Sequence, residues 1–421
     1  MAQWRNWSGS VVAAPARIAR PGAEAELSAL IAGADQVRMV GTGHSFTPLC
    51  ATYGLLISLA EMDGELEVAP DRASVWTPAG WSIGRLTQAL WDQGLSLANQ
   101  GDINKQAIAG ALATGTHGTG AALGSLSTQA LAYRLVLADG SVVECDADRE
   151  RDIFEAQRVS LGMLGVMSRV KLSVLPAYRL KETIRRAPLD EIIEQWDDLT
   201  TRHRHVEFFV FPYADDAMLK ILEPAEGGED REPSDPFAFV FPLACGISAL
   251  APGLAAPLQR LMTAAIGPST RAGPAYRIFP SERDIRFEEM EYEIPAAAGI
   301  GALRAAIAEV RRQRLPVIFP FEFRAVAGDD IWLSPMNTGP CVSISMHQYA
   351  RMDWRGAFAA IEPIFAAAGG RPHWAKQHTL TSADVTRLYP MAERWGSVRK
   401  RLDPAGKFLN PHLRELFGFS A

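Results

Sequence analysis

The stretch "NQGDINKQAIAGALATGTHGTGAALG", residues 99–124, decides the fold of this chain. Glycines let backbone N–H groups approach an anion closely, and neighbouring threonine hydroxyls add further donors. Because no cationic side chain lies among these glycines, they are suited to hold a buried diphosphate by backbone dipoles. The alternative is a flexible loop with no ligand. The glycines concerned are Gly110, Gly115, Gly118 and Gly120, and they enclose His117.

A second glycine-rich stretch, "MVGTGHSFTP" at Met39–Pro48, places His44 on a tight turn. The sixth position of a G-x-G-x-x-G motif is Phe46 here, and no long helical pattern follows, so a Rossmann loop is excluded. No Walker A motif occurs anywhere in the sequence. His44 could be a core residue, a metal ligand, a general base or the attachment point of a cofactor.

Length and composition narrow the class of protein. A chain of 421 residues favours two domains, and 48% hydrophobic with 21% charged residues is typical of a soluble globular protein. The net charge of −6 argues against nucleic acid as a partner. The four cysteines form no CxxC pair, which predicts free thiols in a reducing, cytoplasmic compartment.

Two further segments bear on localisation. The N-terminus lacks the continuous apolar region of a signal peptide. Pro236–Gln259 carries no charge and is long enough to cross a bilayer, but its prolines and glycines would break a helix repeatedly. We therefore expect a buried, bent segment and no membrane span, preceded by a polar surface loop at Pro224–Pro236.

The order of predicted elements indicates an α+β chain. The first ~175 residues are strand-rich and include a hairpin, Leu131–Leu137 and Val142–Cys145, joined by an Asp-Gly turn. After Pro176 the pattern changes to longer helices and strands, among them Val317–Val326 and Cys341–Tyr349. This change predicts an N-terminal cofactor domain followed by a second domain.

Two strands of the second domain carry polar side chains at alternate positions. In "FPFEFRAV", Glu322 and Arg324 lie two apart and point to one face. An acid and a base buried on one face are costly unless they are paired or functional. The alternative is a structural ion pair at a strand edge. In "CVSISMHQY", Ser343, Ser345 and His347 likewise share one face.

Several motifs together resemble one family over nearly the whole chain. They are the two glycine-rich stretches, "WRNWSG" near Trp4, and "RLDPAGKFLNPHLRELFG" at Arg401–Gly418. They resemble the vanillyl-alcohol oxidase superfamily and, more narrowly, its aldonolactone and alditol oxidases. The resemblance implies a two-subdomain FAD-binding domain of that type plus a sheet-and-helix substrate (cap) domain. The expected limits are 1–176 for the FAD domain, 177–394 for the cap, and 395–421 for a segment returning to the FAD domain.

The resemblance also implies the cofactor site. Many family members bond the histidine of a "GHS" turn covalently to the flavin, and His44 stands at that position. A neutral imidazole nitrogen is a nucleophile, so this attachment is chemically reasonable. His373 and His378 lack further ligands for a metal, and none is expected. The other implied FAD contacts are Gly41, Thr42, Gly43, Ser45, Ala107, Gly110, Ala113, Thr114, Gly115, Thr116, His117, Gly118, Val166, His373 and Asn410.

Substrate chemistry is implied for the cap domain. By the resemblance, Arg324 would lie by the flavin N1–C2 region, Glu322 would bind substrate hydroxyls, and Lys376 in "RPHWAKQH" would lie beside the reacting hydroxyl. We align His347 with a threonine of the alditol oxidases and take it as the candidate proton acceptor. Asp102 stands where those enzymes have serine. Asp102 and Ser345 complete the expected substrate contacts.

The implied reaction is hydride transfer from a sugar-derived alcohol carbon to FAD, with O2 reoxidising the flavin and forming H2O2. Gly101 stands where related dehydrogenases that react poorly with oxygen have alanine, which favours an oxidase. "FEEMEYEIP" (Phe287–Pro295) favours a gulono-, galactono- or arabinono-1,4-lactone as substrate. The alternatives are an alditol oxidase acting on xylitol or sorbitol, a dehydrogenase with another acceptor, and a flavin-binding protein without alcohol chemistry. We expect a monomer.

Overall fold

The computed structural model describes residues 3–227, 230, 240–281 and 284–419. The chain begins with a small subdomain in which three short parallel strands pair in the order β3-β5-β4. Leu27 and Ile31 of its helix pack against Val37 and Ile57 of the sheet. The elements are β1 (Trp4–Arg5), β2 (Val12–Ala13), β3 (Arg17–Ala19), α1 (Glu24–Ala32), β4 (Val37–Met39) and β5 (Leu55–Ile57).

A second subdomain is built on an antiparallel sheet. Its elements are β6 (Glu67–Val68), β7 (Ser74–Pro78), α2 (Ile83–Asp92), β8 (Leu95–Ser96), α3 (Ile108–Thr114), a 3-10 turn (Leu126–Gln129), β9 (Ala130–Val136), β10 (Val142–Asp146), α4 (Arg151–Gln157), β11 (Val166–Ser173) and β12 (Leu175–Pro176). The sheet order is β10-β9-β11-β7-β6, so the predicted hairpin is confirmed as β9–β10. Gly115 ends α3 at φ +77°, where glycine has no steric penalty, and this turns residues 116–120 toward the cap.

The cap domain is dominated by one large sheet. Its elements are β13 (Arg179–Pro188), α5 (Leu189–Glu194), α6 (Trp196–Arg202), β14 (His205–Val210), β15 (Asp216–Pro224), α7 (Val240–Leu250), a 3-10 turn (Pro252–Leu254), α8 (Ala255–Ala264), β16 (Ser269–Pro274), α9 (Ala275–Ile278), β17 (Phe287–Pro295), α10 (Ala296–Gln313), β18 (Phe321–Val326), β19 (Cys341–Tyr349), α11 (Arg355–Ala367) and β20 (Arg371–Pro372). The strand order is β16-β13-β15-β14-β18-β19-β17-β20.

The two faces of the cap sheet differ in polarity. Phe208, Phe323 and Ile344 lie on the face that packs against α10 and α11. Many of the alternate residues are charged or hydroxylated, among them Glu207, Glu322 and Ser343, and they form a polar face. Thr119 donates to the carbonyl oxygen of Val206, and the N–H of Gly120 donates to Ala325. The polar face is therefore turned toward the N-terminal half of the chain.

The last helices return to the first domain. They are α12 (Ser382–Leu388), α13 (Ala392–Leu402) and α14 (Pro411–Phe417). Val385, Tyr389 and Leu413 pack in the same core as Leu86 and Tyr133 of the second subdomain, and Trp374 lies there too. The observed architecture confirms the α+β prediction, with an N-terminal half of two small subdomains and a cap domain built on one large sheet, while the limits at 176 and 394 remain predictions.

The uncharged segment differs in part from its prediction. It is bent, since a 3-10 turn separates α7 from α8, but Leu243 and Leu250 are 64% and 91% exposed, so the expectation of a fully buried segment was wrong. Its first residues, 236–239, and most of the predicted loop at 224–236 lie outside the described residues. Among the described residues, no helix combines the length and apolar character needed to span a bilayer. All four cysteines are free thiols, as predicted.

Candidate active site

A cleft lies between the polar face of the cap sheet and the glycine-rich loops of the FAD-binding half. It brings together side chains from β17, β18 and β19, from the loop before α3, and from the His44 turn. Ten of the predicted site residues line it, namely His44, Gly101, Asp102, Thr116, His117, Glu322, Arg324, His347, His373 and Lys376. Residues separated by more than 300 positions in the sequence thus face one space.

The other predicted site residues lie outside this lining. They are Gly41, Thr42, Gly43, Ser45, Ala107, Gly110, Ala113, Thr114, Gly115, Gly118, Val166, Ser345 and Asn410. A Cβ on Gly41 would come 2.8 Å from the Cβ of Ala107, so the two loops are in close contact. Asn410 caps α14 and donates to the carbonyl oxygens of Pro48 and Ala51. It therefore holds the loop that follows His44.

The cleft fits a polar cofactor. Gln106 Oε1 and Thr116 Oγ1 are buried at the cleft without a hydrogen-bond partner in the described part of the chain. A buried polar atom normally has a partner, so such atoms indicate that a bound group supplies it. A Cβ on Gly110 would meet nothing within 4 Å, which leaves space beside the first turn of α3. These features are compatible with FAD.

His44 presents its ring to the cleft. The imidazole stacks on Trp7 with ring centroids 5.5 Å apart, and Nδ1 lies 2.8 Å from the hydroxyl of Thr42. Burial, followed by the charges of Lys376 and Lys105, lowers the pKa of His44 to about 4. The imidazole is therefore neutral at neutral pH and keeps a nucleophilic nitrogen.

Arg324 is surrounded by carboxylates. Its Nε donates to Glu207 at 3.0 Å, and its Nη2 contacts both Glu322 and Asp102, the latter at 3.1 Å. Burial alone would lower the pKa of Arg324, but Glu322, Asp102 and Glu207 outweigh it and hold that pKa well above its ordinary value. The predicted Glu322–Arg324 pair therefore exists, inside a larger cluster.

Lys376 is held by a second set of acids. Its ammonium contacts Glu289 and lies 3.6 Å from Glu291. Burial opposes the charge, yet the two carboxylates raise the pKa of Lys376. His347 joins this set because its Nε2 lies 3.3 Å from Glu289. Ser345 lies opposite both Glu322 and Glu291 in the strand register.

His117 bridges two more carboxylates. Nδ1 lies 2.8 Å from the carbonyl oxygen of Gly118, and Nε2 lies 2.7 Å from Glu291 and 3.2 Å from Glu293. Carbonyl and carboxylate oxygens only accept, so both nitrogens donate and the ring is an imidazolium. Burial lowers the pKa of His117, but Glu293 and Glu291 outweigh this and raise it to about 10.

Glu289, Glu291 and Glu293 are not among the predicted site residues. A signal for them is present in "FEEMEYEIP", where these acids occupy alternate positions of one strand and must share a face. Glu207 and Lys220 gave no such signal, since the residues on either side of each are apolar and neither belongs to a run of alternating acids.

Comparison with known proteins identifies the class. A family model described as FAD binding domain matches residues 15–146, and one described as D-arabinono-1,4-lactone oxidase matches residues 170–416. The fold and the first match define a flavoprotein of the vanillyl-alcohol oxidase type. The chain belongs to the FAD-dependent aldonolactone oxidase family within that superfamily, which confirms the resemblance and the fold expected from it.

Individual relatives cover almost the whole chain. An L-gulono-1,4-lactone dehydrogenase of Mycobacterium tuberculosis is 39% identical, with 99% of each chain covered. The L-gulonolactone oxidase of Bos taurus is 29% identical, with 99% of this chain and 98% of the relative covered. A cholesterol oxidase from B. sterolicum superposes with a TM-score of 0.83 at 17% identity, covering 99% and 96% of the two chains, and shows the shared fold.

Proposed function

We propose that this protein is a flavin-dependent oxidoreductase that oxidises an alcohol carbon of an aldono-1,4-lactone, with gulono-, galactono- or arabinono-lactone as the candidates. One observation carries the proposal. The cleft is lined by a neutral His44 and by two clusters that each surround a cation. In one cluster Arg324 contacts Glu322 and Asp102, and in the other Lys376 contacts Glu289. The relatives at 39% and 29% identity are named for oxidation of a gulonolactone, which supports a lactone as the substrate class.

Each cluster has a task in this proposal. FAD, when bound, supplies the hydride acceptor. Carboxylates accept hydrogen bonds from sugar hydroxyls, so Glu322 and Asp102 would orient the lactone. Lys376 would stabilise negative charge on the reacting oxygen, and His347 would take its proton. Arg324 would supply positive charge where the reduced cofactor carries negative charge.

We further propose that FAD is attached covalently through His44. The neutral imidazole and the stacking on Trp7 support this attachment. Thr42 and Ser45 of the His44 turn, and Gly110 and Thr114 of α3, belong to the segments that would surround the rest of the cofactor, with Val166 among its neighbours. The protein is further expected to act as a monomer.

The electron acceptor has two candidates. Gly101 supports oxygen, since a glycine leaves room where alanine would stand. The relative named a dehydrogenase supports an acceptor other than oxygen. Turnover of the lactone in air, with peroxide measured, compared with turnover on an artificial dye without oxygen, separates the two.

The test of the substrate class is anaerobic bleaching of the flavin by a panel of compounds. We expect rapid bleaching with L-gulono-, L-galactono- or D-arabinono-1,4-lactone, and little with xylitol or sorbitol. Strong bleaching by xylitol and none by any lactone would favour the alditol oxidase alternative. No bleaching by the whole panel would favour a flavin-binding protein without alcohol chemistry.

A further inference from the structure

A row of alternating charges crosses the polar face of the cap sheet and ends at the cleft. Its members are Arg271 on β16, Glu182 on β13, Lys220 on β15, Glu207 on β14 and Arg324 on β18. The Nε of Arg271 lies 2.6 Å from Glu182, and Lys220 Nζ lies 3.7 Å from Glu182 and 2.8 Å from Glu207. Glu207 then accepts from Arg324 Nε at 3.0 Å. We call these five residues the charge row.

The strand register produces this row. Arg271 stands opposite Glu182, Lys220 opposite Glu207, and Glu207 opposite Arg324. Within the row, only Glu182 and Lys220 are diagonal neighbours and do not stand directly opposite each other. Side chains directly opposite one another in antiparallel strands are close enough to interact, so each member meets an opposite charge on the next strand.

Burial makes each charge of the row dependent on its neighbours. Glu207 and Lys220 are 1% and 6% exposed, and a buried charge without its partner is strongly unfavourable. Arg324 contacts three carboxylates, Glu207 among them. Lys220 offsets the charge of Glu207, so it determines how much of the positive potential of Arg324 reaches the cleft.

We propose that Glu207 and Lys220 are positioning residues of the reaction. Glu207 fixes the guanidinium of Arg324 through Nε, which leaves Nη2 to the cleft side with Glu322 and Asp102. Lys220 cancels the negative charge of Glu207 and so maintains the positive field of Arg324. The inference rests on the proposed function, in which Arg324 lies beside the flavin.

The test measures the flavin itself in the purified holoenzyme. Sulfite adds through its sulfur lone pair to flavin N5, and the ring gains a negative charge that nearby positive charge stabilises. Lys220→Met removes one of the two positive charges beside Glu207, so sulfite affinity and the flavin midpoint potential should both fall, the affinity by about three- to tenfold. Turnover should fall with them, while KM for the lactone changes little.

Glu207→Gln has the opposite electrostatic effect. It removes the negative charge between Lys220 and Arg324, so sulfite affinity and midpoint potential should rise, even though Arg324 is held less firmly and turnover falls. Sulfite affinity and midpoint potential should return toward those of the parent protein in the double variant Glu207→Gln/Lys220→Met and in the conservative variant Lys220→Arg. Shifts of the same sign in both single variants, or no shift in either, would overturn the proposal.

Two controls separate this inference from the proposed function. Lys181→Met removes a charge from the exposed side of β13 and should change neither the sulfite affinity nor the midpoint potential, because solvent screens the charge of Lys181. Arg324→Met should lower sulfite affinity further than Lys220→Met. If Arg324→Met has no effect, the placement of Arg324 beside the flavin fails and the inference fails with it. If Arg324→Met lowers affinity while the row variants do nothing, only the inference fails.

Discussion

At the scale of single residues, His44 has the most specific proposed role, which is covalent attachment of the flavin. Its ring is neutral and faces the cleft, which suits a nitrogen that bonds the flavin. We expect His44→Ala to lose covalently held flavin, so that colour washes out of the acid-precipitated variant but remains with the parent protein. His373→Ala is a control in the same cleft and should keep the colour. If the colour also washes out of the parent, His44 only lines the cofactor site.

Gly101 supports a second prediction. A Cβ there would lie 3.0 Å from the carbonyl oxygen of His117 and 3.2 Å from Thr116 Cγ2, so alanine fits only if the loop gives slightly. We expect Gly101→Ala to lower the rate of flavin reoxidation by oxygen at least about tenfold, a barrier change of roughly 1.4 kcal/mol. Stopped-flow mixing of reduced enzyme with oxygen measures this, and reduction by the lactone should change less. Equal losses in both half-reactions would indicate a general distortion.

Glu289 supports a prediction on pH. Because its carboxylate is the main cause that raises the pKa of Lys376, Glu289→Gln should lower that pKa. The alkaline limb of the kcat/KM profile should therefore move to lower pH, by on the order of one unit. Glu288→Gln, on the opposite face of β17 and bonded to Gln377, is the matched control and should leave the limb in place. An unchanged limb in Glu289→Gln would show that Lys376 does not control activity.

At the scale of secondary-structure elements, α14 is tied to the turn after His44 by one side chain. Asn410 Oδ1 accepts from the N–H of Leu413, and Nδ2 donates to the carbonyl oxygens of Pro48 and Ala51. Asn410→Ala removes both the cap and the loop contacts and should cost about 1–3 kcal/mol of stability. Urea unfolding measures this. Asn410→Asp keeps the cap acceptor but turns a carboxylate oxygen toward these carbonyl oxygens, so it should cost at least as much as Asn410→Ala. A negligible cost of Asn410→Asp would show that the loop contacts contribute nothing.

Elements were predicted from the sequence with uneven success. The β9–β10 hairpin and β19 were found because the turn signal and the alternation are local. The predicted strand Val317–Val326 begins only at Phe321, since Gln259 and Gln348 side chains take up the backbone groups of Val317 and Ile318. Such partners lie far away in sequence and leave no local pattern.

At the scale of the whole molecule, Trp374 connects the cap segment to the FAD-binding half. It is fully buried in the core that contains Leu86 and Tyr133, and its indole donates to Leu333. We expect Trp374→Ala to destabilise the protein by about 3–5 kcal/mol through the cavity it leaves. The midpoints of thermal unfolding followed by circular dichroism and by flavin fluorescence should shift together. Trp354→Ala, at the half-buried start of α11, should cost clearly less; an equal loss would contradict a special role for Trp374.

Local sequence is enough to predict an α+β chain with two glycine-rich loops and a same-face pair of Glu322 and Arg324, since backbone freedom and strand alternation are local properties. The role of His44 and the type of FAD-binding domain came from the resemblance to a family, because spacing alone leaves several roles open for that histidine.

Only the tertiary structure decided which charges neutralise one another. Glu207 meets Arg324 across 117 positions, and His117 meets Glu291 across 174. These contacts depend on strand order and register, which are set by packing between distant segments. A buried charge is tolerated only where such a partner arrives. Only the folded chain therefore shows that Glu289 and Glu291 are the acids beside Lys376, and that Lys220 and Arg324 share Glu207.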